Sequence, residues 1–257
     1  RYECMELHKE DMALSDGEIY AKIEKFAEGR EHFYVIPDHE TEEDGERIAE
    51  LFGGLTLLTG GSGILEPLAN RRSRDGHYAP SHIHGTEGRA ILLAGSCSKA
   101  TLAQIKYFID NGGRAYKVNP VAMLRGDDDI ENIWRFAAED KETPTLIYSS
   151  DTSDNVKEAQ AFGQEAVASL LENTMAELAK RALEAGYKRI IVAGGETSGA
   201  VTRGLGFSAF HIGRSVAPGV PVMTPYGVPD VRLVLKSGNF GQEDFFERAL
   251  KMTGKEE

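Results

Sequence analysis

The chain has 257 residues and a formal net charge of −12, from 29 Lys plus Arg against 41 Asp plus Glu. That acidic balance argues against a sequence-independent nucleic-acid binder and against a protein of anionic membrane surfaces, both of which need a basic field. It leaves small anions open, because backbone amides and helix ends hold those inside acidic proteins.

The composition, 41% hydrophobic and 27% charged, is globular. No apolar run approaches the roughly 18–20 residues of a membrane span, and no secretory signal opens the chain. Cys4 and Cys97 are the only cysteines, too few for a disulfide framework or a Cys-rich zinc site. A cytoplasmic setting is expected. The chain starts at Arg1 rather than Met.

In chain order, residues 1–30 are polar, with one helix marked by Ile19, Ile23, Phe26 and Ala27 and capped by Ser15 with Glu18 at the box position. His32–Pro37 reads as a strand, Thr41–Phe52 as a helix, Leu55–Thr59 as a second strand, Gly60–Gly63 as a turn and Ile64–Asn70 as a short helix. Arg71–Glu87 lacks apolar periodicity and reads as a linker. A regular alternation follows. Strands are expected at 89–95, 115–118, 144–150, 189–193 and 231–236, with helices at 99–111, 129–138, 161–185 and 243–252. The domains are placed at 1–75, a linker at 76–88, and 89–257.

Four glycine turns follow short apolar runs. Ala94-Gly95-Ser96-Cys97-Ser98-Lys99-Ala100-Thr101 leads a strand into a helix, where free amides and a positive dipole end suit phosphate. Ser96 and Ser98 add hydroxyls. Ser98 also reads as a plain helix cap, and Cys97 as a buried structural thiol. In Val192-Ala193-Gly194-Gly195-Glu196-Thr197-Ser198-Gly199, Gly194 and Gly195 admit close backbone approach, Thr197 and Ser198 supply hydroxyls, and Glu196 supplies an acceptor for a ribose or a metal-bound water. In Leu235-Lys236-Ser237-Gly238-Asn239-Phe240-Gly241, Lys236 is a candidate phosphate counter-charge, while Phe240 reads as core rather than as a base platform. Leu58-Thr59-Gly60-Gly61-Ser62-Gly63 is chemically alike but lies before the linker. None of these is a Walker A loop or a dinucleotide fingerprint, which sets a nicotinamide dehydrogenase aside. His77, His82 and His84 read as solvated loop residues, and no metal ligand is assigned. Asp127-Asp128-Asp129 reads as a charged loop capping the next helix.

Taken together and in order, the turn at 94–101, the turn at 192–201, Ala217-Pro218-Gly219-Val220-Pro221 and the run from Leu235 to Phe246 resemble the four-carbon acid sugar kinase family. The resemblance implies an α/β fold of two domains, with parallel or mixed sheets flanked by helices. It implies an ATP- and Mg²⁺-dependent kinase of 3-oxo-tetronate, threonate or erythronate, acting on the terminal hydroxyl. Its nucleotide-binding domain covers the last two-thirds of the chain. The ATP contacts it implies are Ser98, Gly195 to Ser198 and Gly238, beside Ser96, Gly194 and Lys236 chosen on chemical grounds. Gly61, Ser62 and Gly63 become substrate-side candidates. Two departures stand out. Arg214-Ser215-Val216 precedes the Ala-Pro-Gly-Val-Pro element where the family usually has an acid, and residues 1–60 lack the family's paired-aspartate opening. The N-terminal domain is therefore expected to be incomplete, and no catalytic residue is named. A non-catalytic nucleotide or sugar-acid binding module is the alternative. The expected partners are the sugar acid and ATP, without nucleic acid or membrane, and a homodimer is left open.

Overall fold

A computed structural model describes residues 2–74, 83–151, 161 and 163–255. The chain divides into two compact units, Arg1–Pro80 and Ser81–Glu257.

The first unit contains β1 (Glu3–Leu7), α1 (Lys9–Met12), α2 (Asp16–Ala27), β2 (Phe33–Pro37), α3 (Glu42–Phe52) and α4 (Leu65–Arg74). β1 and β2 pair in parallel. Ser15 and Glu18 form the expected capping box of α2, and Thr41 caps α3 by accepting from the Asp44 amide. Leu7, Met12, Ile19, Ile48, Leu51 and Phe52 make its core. β1 escapes a sequence reading because only Leu7 is buried and Met5 half-buried among its five residues, an alternation too short to read. The expected strand Leu55–Thr59 does not form. These residues are exposed coil, with Leu57 at 84% accessibility, and among the described residues no strand pairs with them.

The second unit contains β3 (Ala90–Ala94), α5 (Lys99–Asp110), β4 (Arg114–Lys117), α6 (Pro120–Arg125), α7 (Ile130–Glu139) and β5 (Thr145–Tyr148). It continues with α8 (Gln164–Glu184), β6 (Arg189–Ala193), α9 (Gly195–Leu205), β7 (Phe210–Ala217), β8 (Val220–Pro225), β9 (Arg232–Lys236) and α10 (Phe245–Thr253). One seven-stranded sheet runs in the order β4-β5-β3-β6-β9-β8-β7. β8 is antiparallel to both its neighbours; the other pairs are parallel. Alternate strand residues divide between two cores, as a sheet covered on both faces requires. Ile91, Leu93, Ile190 and Val192 pack with Leu178 and Val201 of α8 and α9, whereas Leu92, Ile191 and Val234 pack with Phe108 and Phe245 of α5 and α10.

Three elements here were not expected. α6 starts at Pro120 with Asn119 accepting from the amides of Val121 and Ala122, a readable cap and N1 proline. β7 is irregular, with register shifts near Ser215, and β8 carries Pro221 and Pro225, so neither shows clean alternation. Asp129 caps α7 as expected. Of the expected linker, Arg71–Arg74 prolong α4, and Gly76–His82, with His77 and His82, lie outside the described residues. Residues 83–88 are not free-running. The Thr86 amide donates to Thr253 at 2.9 Å, its hydroxyl to Asp230 at 2.8 Å, and Arg232 Nε donates to the His84 carbonyl at 2.7 Å. A buried guanidinium and a buried hydroxyl thus fix a stretch whose side-chain pattern is polar.

Leu93→Ala should lower unfolding free energy by about 2–5 kcal/mol, because it empties fully buried volume. Leu57→Ser should change it by less than about 0.5 kcal/mol. Urea titrations of the two variants against the parent check both, and a cost at Leu57 similar to that at Leu93 would restore the strand that Leu55–Thr59 suggested.

Candidate nucleotide site

β3 and β6 lie side by side, but the helices that follow them go to opposite faces of the sheet: α5 to one, α9 to the other. Such a reversal opens a crevice beyond the carboxyl ends of the strands, where open α/β sheets bind ligands. The loops after β3, β6 and β9 meet there. Strand pairing aligns their last residues, with Ala94 opposite Ala193 and Ala193 opposite Lys236. The Gly95 amide donates to the Ala193 carbonyl at 3.0 Å, and the Gly194 amide to the Lys236 carbonyl at 2.9 Å.

Glycine is required at three points of this contact. A Cβ on Gly95 would collide with the Thr197 hydroxyl, and one on Gly238 with the hydroxyls of Ser96 and Ser98. Gly194 has φ of +127° and lies against the Ser96 amide. α9 begins one residue later, at Gly195, so Gly195, Glu196, Thr197 and Ser198 are its first turn rather than a free loop. The amides of Gly195, Glu196 and Thr197 have no acceptor within the helix, and they point with the dipole toward the crevice. Gly195 and Glu196 are exposed, Thr197 is buried, and the Ser198 hydroxyl is a buried group without a partner among the described residues.

Beneath the crevice lies a polar network. The Gly238 carbonyl accepts from Ser98 Oγ at 2.6 Å, Thr101 Oγ1 at 2.9 Å and Lys236 Nζ at 2.9 Å. Lys236 Nζ also reaches Thr101 Oγ1 at 2.8 Å and the Ser237 carbonyl at 3.3 Å. Ser98 caps α5 by accepting from the Thr101 amide, and Ser96 Oγ accepts from the Ser98 amide, both at 3.2 Å. Gln104, also on α5, donates from Nε2 to the carbonyls of Phe240, Gly241 and Gln242, each at 3.0 Å. Lys236 is therefore a fixed, 2%-exposed cation below the loops, not a free side chain reaching out. Burial pushes its ammonium down to about 8.

Two expectations fail here. Cys97 is exposed, not buried, because it stands in the polar turn before the α5 cap. Phe240 is 41% exposed rather than core, and its ring edge covers Gly219 at the β7–β8 turn. Thr101 and Gln104 were not chosen as site residues. The signal for them was present: Thr101 and Gln104 follow Ser98 at three-residue steps, which puts all three on one face at the start of α5.

Next to the crevice is a cavity of about 740 Å³ bounded by the ends of β3, β4 and β5 and by α6, α8 and α9. Val121, Val167, Leu171 and Met175 give it an apolar wall, and Glu196 and Thr197 line its edge. A Lys117–Asp151 ion pair of 2.7 Å also borders it. Gly61, Ser62 and Gly63 belong to the first unit, where they are exposed and Ser62 starts a 3₁₀ turn. Among the described residues no group of three His, Cys, Asp or Glu side chains is placed to hold a metal, and no helix is long and apolar enough to cross a membrane.

The buried lysine makes a sign-definite prediction. An ammonium depressed in the folded state binds its proton more weakly there than in the unfolded chain, so its contribution to stability rises as pH climbs from about 8 to the unfolded lysine value. The stability of the parent relative to Lys236→Met should therefore increase between pH 8 and pH 10 in urea titrations, and a flat difference would mean that Lys236 is solvated. Gln104→Leu should cost about 1–3 kcal/mol, since it strips a donor from three carbonyls.

The chain matches known proteins over most of its length. Residues 91–246 match the family model described as the nucleotide-binding C-terminal domain. The 3-oxo-tetronate kinase of Cupriavidus necator is 38% identical over 225 residues, covering 86% of this chain and 52% of the relative. The crystal structure of Haemophilus influenzae protein HI1011 superposes with a TM-score of 0.75 at 32% identity, over 97% of this chain and 60% of that one. A Salmonella typhimurium LT2 structure, described provisionally as a tRNA synthase, superposes at 0.83 with 29% identity, over 96% and 59%. The chain spans about half the length of the curated relatives it matches. By this family match, the identity to these relatives and the shared fold, the chain belongs to the four-carbon acid sugar kinase family through its nucleotide-binding C-terminal domain.

Proposed function

We propose that the chain is the nucleotide-binding part of an ATP- and Mg²⁺-dependent kinase that phosphorylates the terminal hydroxyl of a four-carbon sugar acid, with 3-oxo-tetronate as the first candidate and threonate and erythronate as the others. The observation that carries this reading is the meeting of three glycine turns at one crevice, packed so closely that a Cβ on Gly95 or Gly238 would collide with a hydroxyl, while Gly194 holds a positive φ. The names of the relatives support the acceptor class. The tRNA label of one structural neighbour is not carried over, because a net charge of −12 opposes a polyanionic partner.

The residues present fit a bound triphosphate. The amides of Gly195, Glu196 and Thr197 would donate to phosphate oxygens, with the hydroxyls of Ser96, Ser98 and Ser198 beside them. Lys236 lies under the same loops and supplies a fixed positive charge without leaving its three oxygen partners. Phosphoryl transfer depends chiefly on positioning and on neutralising charge spread over the transferred group. Bound Mg²⁺ would supply part of that neutralisation, held by phosphate oxygens and water with few protein ligands; Glu196, which lines the cavity edge in the first turn of α9, is the carboxylate proposed for that role. The side chains of this unit bind and orient, and no proton acceptor for the hydroxyl is assigned among them. Residues 1–75 are proposed as part of the sugar-acid domain, with Gly61, Ser62 and Gly63 on its substrate side.

Titration of ATP·Mg by calorimetry should give saturable binding to the parent. Gly195→Val should weaken it by at least about tenfold while leaving the far-ultraviolet spectrum intact, because a branched side chain there would screen the α9 amides. Absence of binding at millimolar nucleotide would reject the kinase reading. Binding without ADP release from any tetronate, in a chain extended to the length of its relatives, would favour a non-catalytic module.

A further inference from the structure

We propose a second anion site in the nucleotide-binding unit, away from the crevice, that takes a small phosphorylated molecule. It is a cavity of about 780 Å³ between α10 and the β7–β8 hairpin. Arg214 of β7 and Arg248 and Lys251 of α10 line it, with Lys255 just beyond the helix. None of its lining residues is acidic, although the chain as a whole carries −12.

Three observations point to a ligand. First, several other cations of this unit are engaged within the protein: Arg114 with Glu139 at 2.7 Å, Arg181 with Glu131 at 2.8 Å and Lys188 with Asp230 at 2.6 Å, and Arg232 and Lys236 with uncharged oxygens. Arg214, Arg248 and Lys251 have no such partner among the described residues, and Lys255 is the one member of the group that is paired, to Glu87 at 2.7 Å. Second, Arg248 and Lys251 are three residues apart on α10, so they stand on one face and share one target. Third, Ile83, Val222 and Met252 form an apolar floor, which lowers the local dielectric and strengthens a charge-assisted bond made above it. Two guanidinium forks and an ammonium match the oxygens and double charge of a phosphate group better than a single carboxylate.

The site is distinct from the crevice. α10 begins just after the loop clamped by Gln104 and ends at Thr253, and its C-cap, Gly254, lies against Arg189 at the start of β6. The nine-residue helix therefore runs from the carboxyl edge of the sheet to its amino edge, about 14 Å away. The proposal does not rest on the kinase reading.

Inorganic pyrophosphate titrated in metal-free buffer at low salt tests it. The parent should bind saturably. In the Gly195→Val background, where the crevice amides are screened, pyrophosphate binding should persist, and adding Arg248→Ser/Lys251→Ser should weaken it by at least about tenfold and Arg214→Ser measurably. All three cationic side chains are exposed, so the fold should survive, as far-ultraviolet dichroism will verify. No saturable binding by the parent, binding lost in Gly195→Val, or binding undiminished when Arg248→Ser/Lys251→Ser is added to it, would overturn the proposal.

Discussion

The carbonyl oxygen of Gly238 receives a serine hydroxyl, a threonine hydroxyl and a lysine ammonium. Those donors come from two places far apart in sequence, the start of α5 and the end of β9, and the bonds hold both loops in one position. A second tie runs parallel to the first, from Gln104 of α5 to three successive carbonyls at 240–242. Without them the segment between β9 and α10 would be an exposed glycine loop with many conformations to choose from. With them, the glycines become places of close approach. Gly238 must be glycine because Ser96 and Ser98 already occupy the space beside it.

On the proposed reading, this arrangement would let an acidic chain offer a place to an anion. The long-range field of −12 opposes the ligand, but it is weakened by salt over roughly 8–10 Å. The amides of the first α9 turn act at contact distance and carry no counter-ion. Lys236 adds a full charge whose hydrogen bonds all go to uncharged oxygens. Burial disfavours that charge, which is why its ammonium holds a proton less tightly than a solvated lysine. An arriving phosphate would relieve this cost, so the same strain that destabilises the free protein favours the occupied one.

The sequence made the parallel half of the sheet legible because strands covered on both faces are continuous apolar runs, as in Ala90–Ala94 and Arg189–Ala193, each followed by glycine. Caps were equally readable at Ser15, Thr41, Ser98 and Asp129, where a short polar side chain precedes an amphipathic run. The antiparallel hairpin was not. β7 is an irregular edge strand and β8 contains prolines, and both features erase the two-residue period. Leu55–Thr59 shows the reverse error. Its apolar run is intrinsically strand-like, but strand formation depends on a partner, and among the described residues no strand pairs with it.

Cys97 and Phe240 were misjudged for one shared reason. Apolar or weakly polar residues are buried where a helix covers the sheet, and helices cover its two faces but not the carboxyl edge, where the loops after β3 and β9 emerge. A thiol and an aromatic ring placed there stay accessible whatever their hydrophobicity. Phe240 is held in that position from both sides: its own carbonyl accepts from Gln104, while its ring rests on Gly219, whose φ of +73° makes the β7–β8 turn tight enough to approach it. The ring is therefore a fixed part of the rim rather than a stray surface group. The Ala217–Pro221 element, which seemed separate from the glycine turns along the sequence, joins them in space by supporting it.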